Sequence, residues 1–173
     1  GGLYGLSTML LKIIADLKPD YVVACYDLPG PTYRHEAYEG YKAKRPKADD
    51  ALISQMNRSR DIFTAFGVPM YEKAGFEADD MLGTIVEQVK KDKDLDVVIA
   101  SGDMDTLQLV NNKKVRVYTL RKGIQDTIIY DEDGVVERFG FAPEFLPDFK
   151  GLRGDPSDNI IGVPGIGEKT ASI

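Results

Sequence analysis

Asp96-Val97-Val98-Ile99-Ala100-Ser101-Gly102-Asp103-Met104-Asp105 is the stretch on which the fold turns. Its apolar run is short, β-branched and nearly continuous, the pattern of a strand buried on both faces. Small residues end it, and two carboxylates follow, two positions apart. An extended backbone there would aim both to the same side. In open α/β sheets, sites form beyond the carboxyl ends of the strands. Acidic side chains are among the least often buried unless they are paired or bound to a metal.

Upstream, Phe76-Glu77-Ala78-Asp79-Asp80 opens an amphipathic helix over Ala78–Lys91, with its acids at the positive end. Glu77 and Asp80 lie three apart and would share a helical face. Tyr21–Tyr26 is a second buried-type strand, ending directly at Asp27, and Cys25 within it reads as a small buried side chain. Val68–Tyr71 is a short strand, with Pro69 tolerable only near an end or edge. Helices are expected over Tyr4–Leu17 and from Asp49 or Asp50 to Phe66. The second presents Leu52, Ile53, Met56, Ile62, Phe63 and Phe66 as its apolar set.

Downstream, Thr106–Val110 reads as a short helix, Val115–Tyr118 and Thr127–Tyr130 as strands joined around Lys122-Gly123, and Asp133–Phe139 and Pro143–Gly151 as short helices. The alternation predicts an α/β domain with a mainly parallel central sheet flanked by helices.

Asp27, Glu77–Asp80 and Asp103/Asp105 can therefore meet at one sheet edge. Asp155 and Asp158, in Gly154-Asp155-Pro156-Ser157-Asp158-Asn159, repeat the three-residue spacing. So many carboxylates repel unless cations hold them. Oxygen donors without histidine or cysteine select magnesium or manganese. Two such ions about 4 Å apart can activate water against a phosphodiester. The competing reading makes these acids helix caps and solvated loop charges.

A net charge of −6 argues at first against a nucleic-acid partner. Locally, however, Arg34, Lys42, Lys44, Arg45 and Lys47 face only Glu36 and Glu39. Tyrosines interleave these bases, as stacking on unpaired bases with phosphate contact requires. A solubilising loop is the alternative, and Thr32–Lys47 reads as a mobile excursion in either case. His35, the only histidine, reads as a surface or substrate-contacting residue rather than a catalytic base. Gly162-Val163-Pro164-Gly165-Ile166-Gly167-Glu168-Lys169-Thr170-Ala171 is a glycine turn opening a helix, whose free amides suit phosphate. A single cysteine excludes an internal disulfide framework and fits a reducing compartment. No apolar run is long enough to span a bilayer.

Tyr26-Asp27, Tyr33-Arg34-His35-Glu36, Tyr41-Lys42, Glu77-Ala78-Asp79-Asp80, Asp103-Met104-Asp105, Gly154–Asn159 and Gly162–Thr170, in this order, resemble the 5′-nuclease family. Its members include the 5′→3′ exonuclease domain of bacterial DNA polymerase I and the flap endonucleases. The resemblance implies a PIN-like nuclease fold with a helical arch and a C-terminal helix-hairpin-helix. It also implies structure-specific 5′→3′ exonuclease or 5′-flap endonuclease activity in DNA replication and repair, with two Mg2+ or Mn2+ ions. Asp27, Glu77, Asp79, Asp80, Asp103, Asp105, Asp155 and Asp158 would form the metal shell, Asp27 directly or through water. Lys42 and Arg45 would contact the scissile phosphate, and Tyr41 would stack. Arg34, Lys44, Gly165, Gly167 and Lys169 would hold DNA, with a potassium ion at the hairpin.

The implied partners are DNA with 5′ ends, flaps or branches and a polymerase domain in the same full-length chain, in the bacterial cytoplasm with the nucleoid and without a membrane. Residues 1–150 would be the nuclease core, including the basic arch 32–50, and residues 151–173 the start of the hairpin region. Family members open with an aspartate-bearing strand, whereas this sequence opens at Gly1-Gly2-Leu3-Tyr4 and closes within the hairpin's second helix. The expectation is thus a fragment, and the alternative function is a flap-DNA-binding module made inactive by a missing ligand. A hydrolase of small phosphate esters is a third reading, which leaves the basic loop and the hairpin unexplained.

Overall fold

The computed structural model describes residues 1–123 and 126–173. Its centre is the strand pair that the opening stretch announces. β3 (Val97–Ala100) runs parallel to β4 (Val115–Lys122), and β4 pairs antiparallel with β5 (Asp126–Tyr130). Flanked on both edges, β4 is the most buried strand, with Val115 and Val117 almost fully covered. Val86 of α4 (Ala78–Val89), Leu107 of the 3-10 segment Met104–Leu109, Val135 of α5 (Glu132–Phe139) and Phe149 of α6 (Leu146–Arg153) close the core around it. Asp131 caps α5 by accepting from Gly134 N, and Gly140 ends that helix at φ 85°.

A second parallel pair, β1 (Ala24–Cys25) with β2 (Met70–Tyr71), stands apart from that sheet. The expected six-residue buried strand is therefore corrected to two residues. Tyr21 is 80% exposed and Val23 41%. Pro69 supplies its carbonyl to Ala24 N but has no N–H to return, so the ladder cannot extend.

α1 (Gly2–Leu17) and α3 (Asp50–Ala65) pack against each other outside the main core. Asp49, not Asp50, caps α3, accepting from Leu52 N at 2.6 Å. The apolar set expected to be buried on α3 is largely at the surface: Leu52, Ile53 and Met56 are exposed, because the helix packs chiefly on α1, outside the main core. Its buried residue is instead Ser59, whose hydroxyl meets Tyr26 Oη at 2.7 Å. Among the described residues no helix is long and apolar enough to cross a membrane.

Two elements near the C-terminus differ from expectation. Pro143–Phe145 is a separate 3-10 turn leading into α6. After α6, β6 (Gly154–Asp155) and β7 (Ile160–Ile161) form a small antiparallel hairpin. The chain passes itself so closely that a Cβ at Gly162 would lie 2.3 Å from Gly154 N, so only glycine fits. α7 (Glu168–Ala171) follows the glycine turn, with Gly165 at φ 86°.

Leu107 has no exposed surface and sits on the turn that carries Asp105. Leu107→Ala should lower the unfolding free energy in urea by about 2–5 kcal/mol. A change near zero would show that the core does not anchor this turn.

Candidate metal centre

The strand ends deliver the acids, and each local structure explains how. Glu77 is the cap residue of α4, and Asp80 accepts from Glu77 N at 2.8 Å, closing the first turn. The two carboxylates therefore meet through capping, not through a shared helical face. Asp27, just past β1, accepts from Ala78 N at 2.7 Å and so binds at the same helix start. Asp103 accepts from Asp105 N at 2.9 Å, which turns the chain into the 3-10 segment. The extended backbone expected to aim both side chains one way is thereby corrected: Asp105 lies in the first turn and faces α6.

Bases from other segments meet most of these acids. Arg34, on the short helix α2 (Tyr33–Ala37), grips Asp80 with both terminal nitrogens at 2.7 and 2.9 Å and lies 3.8 Å from Glu77. Lys42 donates to Glu77 at 2.8 Å and Tyr41 Oη donates to it at 3.0 Å. Arg45 reaches Asp158 at 2.6 Å. Lys150 of α6 donates to both Asp105 and Asp155, to the latter at 2.8 Å. Asp155 and Asp158, despite their spacing, thus face different bases.

The basic loop is correspondingly not a free excursion. Lys42 N donates to Asp158 O at 3.0 Å, Asn159 Nδ2 donates to Gly40 O at 2.8 Å, and Tyr38 Oη donates to Asn159 O at 3.1 Å. These bonds lock the loop to the β6–β7 hairpin. Tyr41 is buried, its ring against His35, which corrects its expected stacking role; the exposed rings are Tyr33 and Tyr38. His35 Nδ1 accepts from Thr32 N and caps α2, so it is engaged structurally. Lys44 and Lys169 are exposed. Gly165 and Gly167 shape the turn into α7, whose first amides have no intrahelical partner.

Asp79 differs from the rest. Among the described residues its carboxylate has no hydrogen bond and no ion pair. Burial, with the negative charges of Asp103, Asp27, Asp105 and Glu77 behind it, pushes its carboxyl up to about 6. Burial also raises Asp105, more than Lys150 lowers it. Burial works to raise Asp155 as well, but Lys150 and Ser157 outweigh it and hold that group down to about 2. Lys150 is thus a counter-ion shared by Asp105 and Asp155. Asp80 lies below the usual carboxylate range because of Arg34.

As placed, no three Asp, Glu, His or Cys side chains among the described residues converge tightly enough to hold a metal ion. The donor chemistry still fits a hard divalent cation: all ligating atoms are carboxylate oxygens, and Asp79 sits in uncompensated negative charge. A cavity of about 660 Å³ beside it is lined by Arg34, Asp79, Asp80, Gly83, Asp105 and Gln108, among others. Reasoning from sequence missed Lys150 and Ser157. The only signal for them was a base five residues before Asp155 and a hydroxyl two residues after it.

A family model described as "5′-3′ exonuclease, N-terminal resolvase-like domain" matches residues 1–140, and one described as "5′-3′ exonuclease, C-terminal SAM fold" matches residues 141–173. DNA polymerase I of Mycobacterium leprae is 37% identical over 169 residues, covering 98% of this chain and 18% of that protein. DNA polymerase I of Bacillus subtilis is 41% identical over 168 residues, covering 97% and 19%. The chain therefore spans under a fifth of the length of these relatives. Among solved structures, T5 D15 protein co-crystallised with metal ions superposes with a TM-score of 0.79 at 24% identity, covering 96% of this chain and 64% of that one. The catalytic core of Rad2 in complex with a DNA substrate gives 0.58 at 15% identity, covering 98% and 50%. Both share the fold.

Because the folded state raises the Asp79 carboxyl from 3.8 to about 6, its ionisation opposes folding. The penalty is absent below the lower value, grows between the two and is complete above the upper one. In EDTA at pH 7.5, Asp79→Asn should raise stability by on the order of 1 kcal/mol, given solvent screening at a half-buried site. The gain should vanish at pH 4. Thermal melts at the two pH values check this, and an equal gain at both would refute it.

Proposed function

The chain belongs to the 5′-3′ exonuclease family, and we propose that it hydrolyses phosphodiester bonds near the 5′ ends of flapped or branched DNA, using two divalent cations. The observation that carries this reading is the half-buried, unpaired Asp79 among four other carboxylates, with Arg34, Lys42 and Arg45 on the rim. A site built for polyanion hydrolysis needs both halves.

Asp79, Asp103, Asp105 and Asp155 would hold the ions, with Asp27, Glu77, Asp80 and Asp158 around them directly or through water. Bound Mg2+ or Mn2+ would supply an acidified water and neutralise charge on the leaving oxygen. Lys42 and Arg45 are one ion pair away from the acids, near enough to place positive charge against the phosphate being cleaved. Arg34 and Lys44 would hold the strand. Tyr33 and Tyr38, the exposed rings of the loop, would stack on unpaired bases in place of Tyr41. Gly165, Gly167 and Lys169 would bind duplex backbone, with a potassium ion at that turn.

In this reading residues 1–150 form the nuclease core, with the arch over 32–50, and residues 151–173 begin the DNA-binding hairpin region. The DNA polymerase I relatives support a polymerase region in the full-length chain, which in this reading would act in replication and repair beside the bacterial nucleoid.

Cleavage of a labelled 5′-flap duplex tests the reading. Activity should require Mg2+ or Mn2+ and disappear in EDTA. Lys42→Ala and Arg45→Ala should each lower kcat by about 10²–10³-fold, while Lys169→Ala should weaken binding and reduce its salt slope by about one. Cleavage that survives Asp103→Ala or Asp105→Ala would sink the proposal, as would tight flap binding without cleavage at saturating Mn2+.

A further inference from the structure

Among the described residues, Lys150 is the one base that joins acids from two different elements. From the last turn of α6, its Nζ donates to Asp105 on the 3-10 segment and to Asp155 on β6, 2.8 Å away. Asp155 is otherwise satisfied by Ser157, through both its amide at 2.9 Å and its hydroxyl at 2.5 Å. Arg34 also touches two acids, but both belong to the start of α4.

We propose that Lys150 Nζ stands where a divalent cation bridging Asp105 and Asp155 would bind, so that the ion must displace it. This rests on the reading of those two carboxylates as cation ligands, and it makes Lys150 the positioning residue that sets the affinity of that ion. An ammonium between two carboxylates relieves the same repulsion that a divalent ion relieves, and the two cannot occupy one place. Lysine suits such a role because its point charge rides on a flexible stem that can swing aside. An arginine fork would grip both carboxylates and leave less readily. Lys150 is 31% exposed at its side chain, so it has solvent to move into.

Lys150 differs from the other bases in bridging two elements. Lys42 shares Glu77 with Tyr41, and Arg45 holds Asp158 alone; neither bridges. Removing Lys150 should therefore have two opposite effects. The fold should lose stability without metal, since Asp105 and Asp155 then face each other unscreened. One cation site should become tighter. A purely structural lysine would give only the first effect.

Mn2+ binding, followed by the EPR signal of the free ion and by calorimetry with Mg2+, tests this on the whole chain. Lys150→Met should bind one Mn2+ about tenfold tighter, the scale on which one adjacent charge shifts a carboxylate, and should melt lower in EDTA. Lys150→Arg should fold normally and bind that ion more weakly than the wild type. Lys91→Met, which removes a base lining the cavity beside Asp79 and Asp105, should leave binding unchanged. Unchanged or weakened binding in Lys150→Met overturns the proposal. If that variant does not fold, wild-type affinity in Lys150→Arg overturns it. A wild-type chain that binds no divalent ion refutes the cation reading of Asp105 and Asp155, and this inference with it.

Discussion

Carboxylates gathered at one edge of a fold repel one another, and the shape of this chain around its acids is set by how that repulsion is met. Unit charges a few ångströms apart near a protein surface interact with about 4 kcal/mol before solvation costs. No segment carrying several of these acids could therefore settle alone. Four bases answer them: Arg34, Lys42 and Arg45 from the loop after β1, and Lys150 from α6. Asp79 is passed over, and its raised carboxyl records the shortfall.

The same ion pairs do the work of tertiary structure where apolar packing is thin. The segment from Thr32 to Lys47 contributes little to the main core, yet it is fixed to α4 by Arg34 and Lys42 and to the β6–β7 hairpin by Arg45 and Asn159. Removing one partner of such a part-buried pair leaves the other charge uncompensated, which costs far more than the pair contributes. On the proposed reading, these bases have two possible sets of partners, carboxylates and DNA phosphates. Cations at the acids would free the bases for phosphate, so metal binding and substrate binding favour each other.

The acid motifs, the Val97–Ala100 strand that delivers Asp103 and Asp105, and the capped start of α3 were legible in the sequence because each is written in a few neighbouring residues. Strand extent was not. Tyr21–Tyr26 has the composition of a buried strand, but composition does not reveal that its partner offers only two residues beyond Pro69. The face of α3 was misjudged for a related reason: a 3.6-residue stripe says which side is apolar, not whether a core lies opposite. Tyr41 and His35 looked like surface recognition residues because they sit in a basic loop. Tyr41 is buried because its hydroxyl bonds Glu77 on α4, while His35 is held by Thr32 as the local cap of α2.

Charge counting links the site to its proposed chemistry. The eight acids Asp27, Glu77, Asp79, Asp80, Asp103, Asp105, Asp155 and Asp158 face the four bases named above, a surplus of four negative charges within a chain whose net charge is −6. A polyanion approaching that surplus would be turned away. On the proposed reading, two divalent cations would carry the four opposing charges, neutralise the pocket and leave Arg34, Lys42 and Arg45 to dominate the local field. The acidic total of the chain is then no argument against a nucleic-acid substrate. Four of those negative charges are the local surplus that, on this reading, two cations would offset.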